Sequence, residues 1–490
     1  MTKKKFKVNF DTIGDYNLLK RLGVGGNGVV YLVESKKDNK QYAMKILIKF
    51  AHDVSYGRFK NEIQALTDTA HIENIVDIID FNLPDQPTED NTPFYIMPLA
   101  KPYEDYIKDK SHEVLFKDFI KISQALTKLH SLDLTHRDIK PNNILVIDTE
   151  PQLSDFGLVK FPKKSTLSGR NEVIGPMWTI APEMQRESST AEFKATDVYS
   201  LAKTLWIMVT RVEKGFEGQY IANSVISIDK FVEVKVNQMT NAGDWHYFSI
   251  RLLDDLLSEA TNNDPKQRPT AQEFHDVLEL WLKLNDDFDL RNYYEWNQIL
   301  DGLFPFGVPE TSTWSGKPAI FQILKNLTSY DNLNYCFLPG HGGESMTDIE
   351  FDEQSGYFIM NNTNLFKTKQ LIFRTLAESE WSYFRIVLEE LEPTIDITTT
   401  PEEKEFNRTM LGMNNDIMED TFEYNTVEMD RYFRGSFIII QRTSPINSLR
   451  GSHKGYFMDG HTGSHDKLSY EDYHEGISIQ FDSRSKKVQK

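Results

Sequence analysis

The chain has 490 residues, 73 acidic against 55 basic side chains, a net charge of −18 and a single cysteine. That length implies roughly two to three folding units, and the acidity argues against a general nucleic-acid-binding surface, which needs clustered Lys and Arg. Cys336 has no second cysteine for an internal disulfide, and no apolar run reaches the roughly 20 residues that span a bilayer, so a reducing cytoplasm and no membrane partner are expected.

Residues 1–13, with the basic run Lys3-Lys4-Lys5, read as a solvated tip. Gly23-Val24-Gly25-Gly26-Asn27-Gly28 then leads into Val29-Val30-Tyr31-Leu32-Val33, whose β-branched and aromatic residues continue as a strand. A dinucleotide-binding turn would open a helix at the glycines instead, so the segment reads as a glycine-rich hairpin. Tyr42-Ala43-Met44-Lys45 reads as a following strand, Phe59, Ile63 and Leu66 mark one face of a helix over 58–66, and Phe94-Tyr95-Ile96-Met97 reads as a buried strand running into Pro98-Leu99-Ala100.

The most informative stretch is His136-Arg137-Asp138-Ile139-Lys140-Pro141-Asn142-Asn143-Ile144-Leu145, with Asp155-Phe156-Gly157 behind it. Phosphoryl transfer requires a carboxylate to orient the attacking hydroxyl, oxygen ligands for magnesium and a cation against the developing charge. Asp138 supplies the base, Asn143 and Asp155 the metal ligands, and Lys140 the cation. With these residues in this order, the chain resembles the eukaryotic-type protein kinase family over about residues 14–285.

The resemblance implies a bilobal α+β kinase domain that uses ATP and Mg2+ and acts on protein substrates. It places Gly23, Gly25, Gly26 and Gly28 over the phosphates, Val30, Ala43 and Leu145 against the nucleotide, and Lys45 on the α- and β-phosphates with Glu62 as its ion-pair partner. Adenine would bond the backbone of Leu99 or Ala100, since Pro98 has no amide hydrogen, and Glu104 would reach the ribose. Glu183 of Ala181-Pro182-Glu183 is expected to pair with Arg268, and Asp197 to accept backbone hydrogen bonds. Lys140 favours serine/threonine specificity, whereas Pro176, where that branch usually has threonine, leaves tyrosine or dual specificity open. A nucleotide-binding pseudokinase scaffold is the rival reading, but such proteins typically lack Lys45, Asp138 or Asp155, all of which are present. Arg137 together with Ser165, Thr166 and Ser168 points to control by autophosphorylation.

The amphipathic stretch Ala271 to Leu282 closes this part, with Asn285-Asp286-Asp287 as its boundary. Residues 290–490 are expected to form a mainly β domain of unknown fold. Strand-like runs occur at 334–338, 356–360, 371–374, 381–387, 435–440 and 477–481, and Thr400-Pro401 with Glu403 reads as a helix start. His453, His461, His465 and His474 lie in Gly-rich segments without cysteine partners and, like His341, read as exposed loop residues rather than a metal site. Trp296, Phe304, Phe306 and Trp314 read as core or a domain seam. No family resemblance reaches this region.

Overall fold

The computed structural model describes residues 11–24, 28–48, 53–88, 90–159, 178–186, 192–212, 214–222, 224–231, 237–238, 245–246, 250–328, 335–338, 342–375, 382–391, 419–424, 427–432 and 436–440. The chain separates into two compact units, Met1–Asn285 and Asp286–Lys490.

The first unit opens with β1 (Thr12–Ile13), β2 (Tyr16–Val24), β3 (Gly28–Ser35) and β4 (Gln41–Leu47), followed by helix α1 (Asp53–Asp68), β5 (Asp80–Asn82) and β6 (Phe94–Pro98). The strands form one antiparallel sheet in the order β1-β2-β3-β4-β6-β5. Helix α1 buries Tyr56, Phe59, Ile63 and Leu66, residues three to four apart that line one face. Glu62 leaves the helix from the same buried side, and Phe59 lies against the Tyr95 ring of the sheet at 5.6 Å between centroids.

Strand β7 (Lys101–Pro102) and the short helix α2 (Tyr103–Tyr106) lead into α3 (His112–Ser131). The hydroxyl of Ser111 caps α3 by accepting from the Val114 amide. Strands β8 (Ile144–Ile147) and β9 (Glu150–Leu153) complete a small sheet ordered β7-β8-β9. After α4 (Pro182–Arg186) comes α5 (Phe193–Thr210), which is buried along almost its whole length and takes Asp197 and Lys203 into the interior with its apolar residues. A two-stranded ribbon, β10 (Asn237–Gln238) and β11 (Trp245–His246), precedes α6 (Arg251–Ala260) and α7 (Ala271–Asp286). Helix α7 starts from a reciprocal capping box: the Thr270 amide donates to Glu273 Oε2 at 2.7 Å and the Glu273 amide to Thr270 Oγ1 at 3.2 Å.

In the second unit Asp287 caps α8 (Phe288–Leu303), accepting from the Leu290 amide at 3.0 Å. There follow β12 (Thr311–Trp314), α9 (Lys317–Thr328), β13 (Tyr335–Leu338), β14 (Gly342–Ser345), β15 (Ile349–Phe351), β16 (Phe358–Met360), β17 (Asn364–Phe366), β18 (Thr368–Thr375), β19 (Ser382–Leu388), β20 (Glu419–Tyr424), β21 (Val427–Tyr432) and β22 (Ser436–Ile440). They make two sheets, β12-β18-β19-β22-β13-β14 and β15-β16-β17-β21-β20. Five of the expected strands correspond to β13, β16, β18, β19 and β22; the run at 477–481, the helix start at Thr400, His341 and the histidines at 453–474 lie outside the described residues.

The aromatic-rich stretch around Tyr293 is helix rather than strand. Its apolar residues Trp296, Ile299 and Leu300, with Ile320, Ile323, Leu324 and Leu327 of α9, recur at helical spacing and enter one core with Phe358, Phe373, Phe384 and Phe437. Trp296 is buried there, its Nε1 donating to Ser382 Oγ at 2.9 Å. Phe304 and Trp314 pack against the same core, but Phe306 is fully exposed and belongs to no core.

Within α5, Lys203 is buried, with its Nζ donating to the Phe216 carbonyl at 2.6 Å. Burial pushes its pKa down from the ordinary 10.5 to about 7. Between these values the unfolded chain carries a proton that the folded chain lacks, so stability rises with pH across that window. Replacing Lys203 by Met is expected to raise stability at pH 7 and to remove about 3 kcal/mol of the rise between pH 7 and 9.5, read from urea midpoints. Equal pH slopes for the two proteins would rule out a discharged Lys203.

Candidate active site

Strand register places the first group of side chains. Val30 on β3 and Tyr95 on β6 are the direct neighbours of Lys45 on β4, so the sheet aims Lys45 and Tyr95 from one face toward α1. Lys45 Nζ lies 2.5 Å from Glu62 Oε1 and 2.9 Å from Asp155 Oδ1. Burial alone would discharge this ammonium, but its anionic neighbours, Glu62 foremost, outweigh burial and hold its pKa well above the lysine range. Burial likewise pushes the Glu62 carboxyl up, against the opposing pull of Lys45. Asp155 is different: the charge of Lys45 lowers its pKa to about 2. Its side chain is 44% exposed where that of Glu62 is 2% exposed. One carboxylate therefore serves the interior and the other faces the open side.

The second group sits on the loop before β8. Asp197, buried in α5, accepts from the backbone amides of His136 at 2.8 Å and Arg137 at 2.7 Å, and from His130 Nε2 at 3.0 Å. Arg137 takes φ = 68°, a left-handed conformation unusual for a residue with a Cβ, and its backbone amide is one of those Asp197 accepts. Its guanidinium stacks over Phe193 at 4.4 Å from the ring centroid, and its Nη1 donates to the Leu158 carbonyl at 3.4 Å. His136 Nε2 faces the Ser154 carbonyl at 3.0 Å while the Asp138 amide donates to Nδ1 at 3.2 Å. These partners assign the ring proton to Nε2.

Asp138 Oδ2 accepts from Lys140 Nζ at 2.8 Å and from Asn143 Nδ2 at 2.9 Å. Burial raises the Asp138 carboxyl pKa, and the adjacent Lys140 opposes that rise. Asn143 Nδ2 also donates to the Asp138 carbonyl at 2.7 Å. With both amide hydrogens committed, the part of Asn143 that can ligate a cation is Oδ1. The Asn143 carbonyl in turn accepts from both the amide and the hydroxyl of Ser154, at 2.9 and 3.0 Å. Ser154 directly precedes Asp155, so the two candidate metal ligands are tied through one residue. Asp155 also has a left-handed backbone, φ = 62°. A Cβ on Gly157 would lie 3.2 Å from Asp155 Oδ1 and 3.6 Å from Glu62 Oε2, so glycine keeps space between the two carboxylates. An amide oxygen beside an ionised, half-exposed carboxylate suits magnesium, and a charged Lys45 suits phosphate; the residues present fit both groups.

The connection carrying Pro98, Leu99 and Ala100 is pinned at both ends. Ala43 pairs with Met97 on one side, and Leu145 with Pro102 on the other. The residues expected to line the nucleotide are thereby brought to the two ends of the stretch expected to read adenine. Leu99 is 42% exposed, Ala100, Val30 and Leu145 are half-buried, Ala43 is buried, and Glu104 is exposed in the first turn of α2. Gly23 lies on β2, while Gly25 and Gly26 are outside the described residues. Gly28 answers to the sheet itself, because a Cβ there would lie 2.6 Å from the Ile46 carbonyl oxygen. Pro176, Ser165, Thr166 and Ser168 are also outside the described residues.

Two partners were not found from the sequence. The Tyr95 hydroxyl donates to Glu62 Oε1 at 2.9 Å, and the buried Tyr103 hydroxyl donates to Asp118 Oδ2 at 3.1 Å. For Tyr95 the available signal was a phenol inside an otherwise apolar strand, which needs a polar partner once buried; Tyr103, at the start of the short helix α2, had no such signal. The expected Glu183–Arg268 pair forms as a bidentate contact of 2.6 and 2.9 Å.

The protein kinase domain model matches residues 16–278, more than half of the chain. The chain belongs to the protein kinase family. It is 31% identical over 308 residues to a probable serine/threonine-protein kinase of Clostridium perfringens, a match covering 61% of this chain and 43% of that protein. It is 28% identical over 290 residues to the serine/threonine-protein kinase PrkC of Bacillus subtilis, covering 57% and 42%, and 29% identical over 203 residues to the DNA damage-responsive serine/threonine-protein kinase RqkA of Deinococcus radiodurans, covering 39% and 29%. The chain thus spans less than half the length of these curated relatives. Among the described residues no helix is long and apolar enough to cross a membrane.

Asp197 is the anchor on which this kinase loop depends. Changing it to Asn replaces an acceptor with a donor opposite a backbone amide, and is expected to cost about 2–3 kcal/mol of stability, measured as a lowered urea midpoint with unchanged slope. An unmoved midpoint would show that the loop is held elsewhere.

Proposed function

We propose that the chain is a protein kinase that transfers the γ-phosphate of ATP to serine or threonine hydroxyls of protein substrates. The observation that carries the reading is the simultaneous contact of Lys45 with Glu62 and Asp155, which ties a sheet strand, helix α1 and the Asp-Phe-Gly segment together at one ammonium. When bound, magnesium would neutralise phosphate charge, and ATP would supply the phosphoryl group. Lys45 orients the α- and β-phosphates. Asn143 through Oδ1 and Asp155 through its ionised carboxylate hold the metal. Asp138 orients the substrate hydroxyl and takes its proton, and Lys140, 2.8 Å from Asp138, faces the charge that develops on the moving group. The backbone at Leu99 and Ala100 receives adenine, Glu104 the ribose, and the hairpin glycines cover the phosphates.

Lys140 and the names of the relatives favour serine/threonine specificity. Pro176 favours a second reading, tyrosine or dual specificity, because it removes the hydroxyl that the serine/threonine branch usually places there. We further propose autophosphorylation at Ser165, Thr166 or Ser168, with Arg137 among the groups that receive the phosphate.

Labelled ATP supplied with a protein substrate tests the assignment. Asp138→Asn and Asp155→Ala are each expected to lower transfer by about 10²–10⁴-fold while leaving the fold intact. Full activity in either variant would overturn it. Mass spectrometry of wild-type and Asp138→Asn protein tests self-modification. Phosphate on residues 165–168 of the wild type alone is expected, and an unmodified wild type that keeps full activity after all three are changed to Ala would exclude the switch.

A further inference from the structure

We propose that the Tyr95 hydroxyl is a positioning group for phosphoryl transfer, one that holds Glu62 and helix α1 in the engaged arrangement independently of Lys45. This rests on the kinase reading above and adds a third member to its Lys45–Glu62 pair.

Geometry carries the proposal. Lys45 and Tyr95 are direct register partners on β4 and β6, so both side chains leave the same face of the sheet. The Tyr95 ring is 2% exposed and lies against Phe59 of α1. Its hydroxyl donates to Glu62 Oε1 at 2.9 Å, the oxygen that Lys45 Nζ meets at 2.5 Å, and Lys45 Nζ stands 5.8 Å from the centre of the Tyr95 ring. Three charged or titratable groups thus face Glu62 from the elements around it: Lys45 from β4, Tyr95 from β6 and Asp155 from the segment after β9. The first two donate to it; the third repels it.

The two donors are not equivalent. Lys45 is divided between Glu62 and Asp155, and in the kinase reading the nucleotide phosphates draw on the same ammonium. Tyr95 directs its single O–H at Glu62. A carboxylate buried this deeply is costly to leave with a weakened partner. As Lys45 turns toward phosphate, Tyr95 keeps Glu62 in place, and with it α1. A phenylalanine would fill the same volume and leave Glu62 dependent on the shared ammonium alone.

Tyr95→Phe preserves the ring and its packing on Phe59, so its effect reads the hydroxyl. The expected result is a fall in kcat on the order of 10-fold with KM for the protein substrate unmoved. In a Glu62→Ala background the same change is expected to cost less than about 2-fold, because the group it acts through is gone. Hydrogen exchange of residues 53–68 supplies a reading that needs no catalysis. Lys45→Met alone is expected to leave these amides near wild-type protection, and Lys45→Met with Tyr95→Phe to raise their exchange about 10-fold. A wild-type kcat in Tyr95→Phe, a full loss in the Glu62→Ala background, or release of the helix by Lys45→Met alone would each overturn the proposal. Failure of the kinase reading would appear separately, as absence of transfer in the wild type.

Discussion

A buried ammonium has to be paid for by anions, and in this molecule Lys45 recruits its two from different parts of the chain. Glu62 arrives on a helix and Asp155 on the segment after β9, so a single charge at the middle of β4 fixes the distance between the sheet, α1 and the Asp-Phe-Gly turn. The cost of burial and the Coulombic gain are both large in such a setting, so the charge on Lys45 depends on keeping its two anions. Tyr95 adds a donor that carries no charge of its own and therefore strengthens the cluster without further desolvation of an ion.

The loop that carries Asp138 follows the same logic with backbone groups. Two consecutive amides converge on Asp197, and directly after the second, Arg137 adopts a left-handed conformation that costs of order 1–3 kcal/mol. Hydrogen bonds to a buried carboxylate offset that cost. The left-handed backbone of Asp155 is secured nearby by Ser154, whose amide and hydroxyl both reach the Asn143 carbonyl. The backbone that carries the base and the metal ligands thus rests on main-chain contacts, while Lys140 and Lys45 hold the carboxylates of Asp138 and Asp155 at 2.8 and 2.9 Å.

Much of this was legible in the sequence because the chemistry is concentrated in short runs. His136 to Leu145 and Asp155 to Gly157 each gather their chemistry-bearing residues within a short run, although Asp155 meets Lys45 and the first run meets Asp197 from far along the chain, and the Glu183–Arg268 pair was visible through two local motifs. What stayed hidden depends on strand register or packing. Tyr95 meets Glu62 only because β4 and β6 are neighbours in a particular alignment, and Tyr103 finds Asp118 only once α2 lies beside α3. Gly28 looked like a phosphate-binding glycine, yet the sheet already demands it through the Ile46 carbonyl. In the second unit the expectation of a mainly β domain did not include the helices Phe288–Leu303 and Lys317–Thr328, because the apolar residues that fill a sheet face also fill a helix stripe, and only their spacing separates the two. Phe306, an aromatic side chain read as core or a domain seam, is fully exposed and fills no core.

The most direct measurement is a crystal structure of the chain with magnesium and a non-hydrolysable ATP analogue. Lys45 Nζ is expected within hydrogen-bond distance of an α- or β-phosphate oxygen, the cation on Asn143 Oδ1 and Asp155, and Glu62 still bonded to Tyr95. A nucleotide bound away from Lys45, or a cation that touches neither Asn143 nor Asp155, would contradict this arrangement.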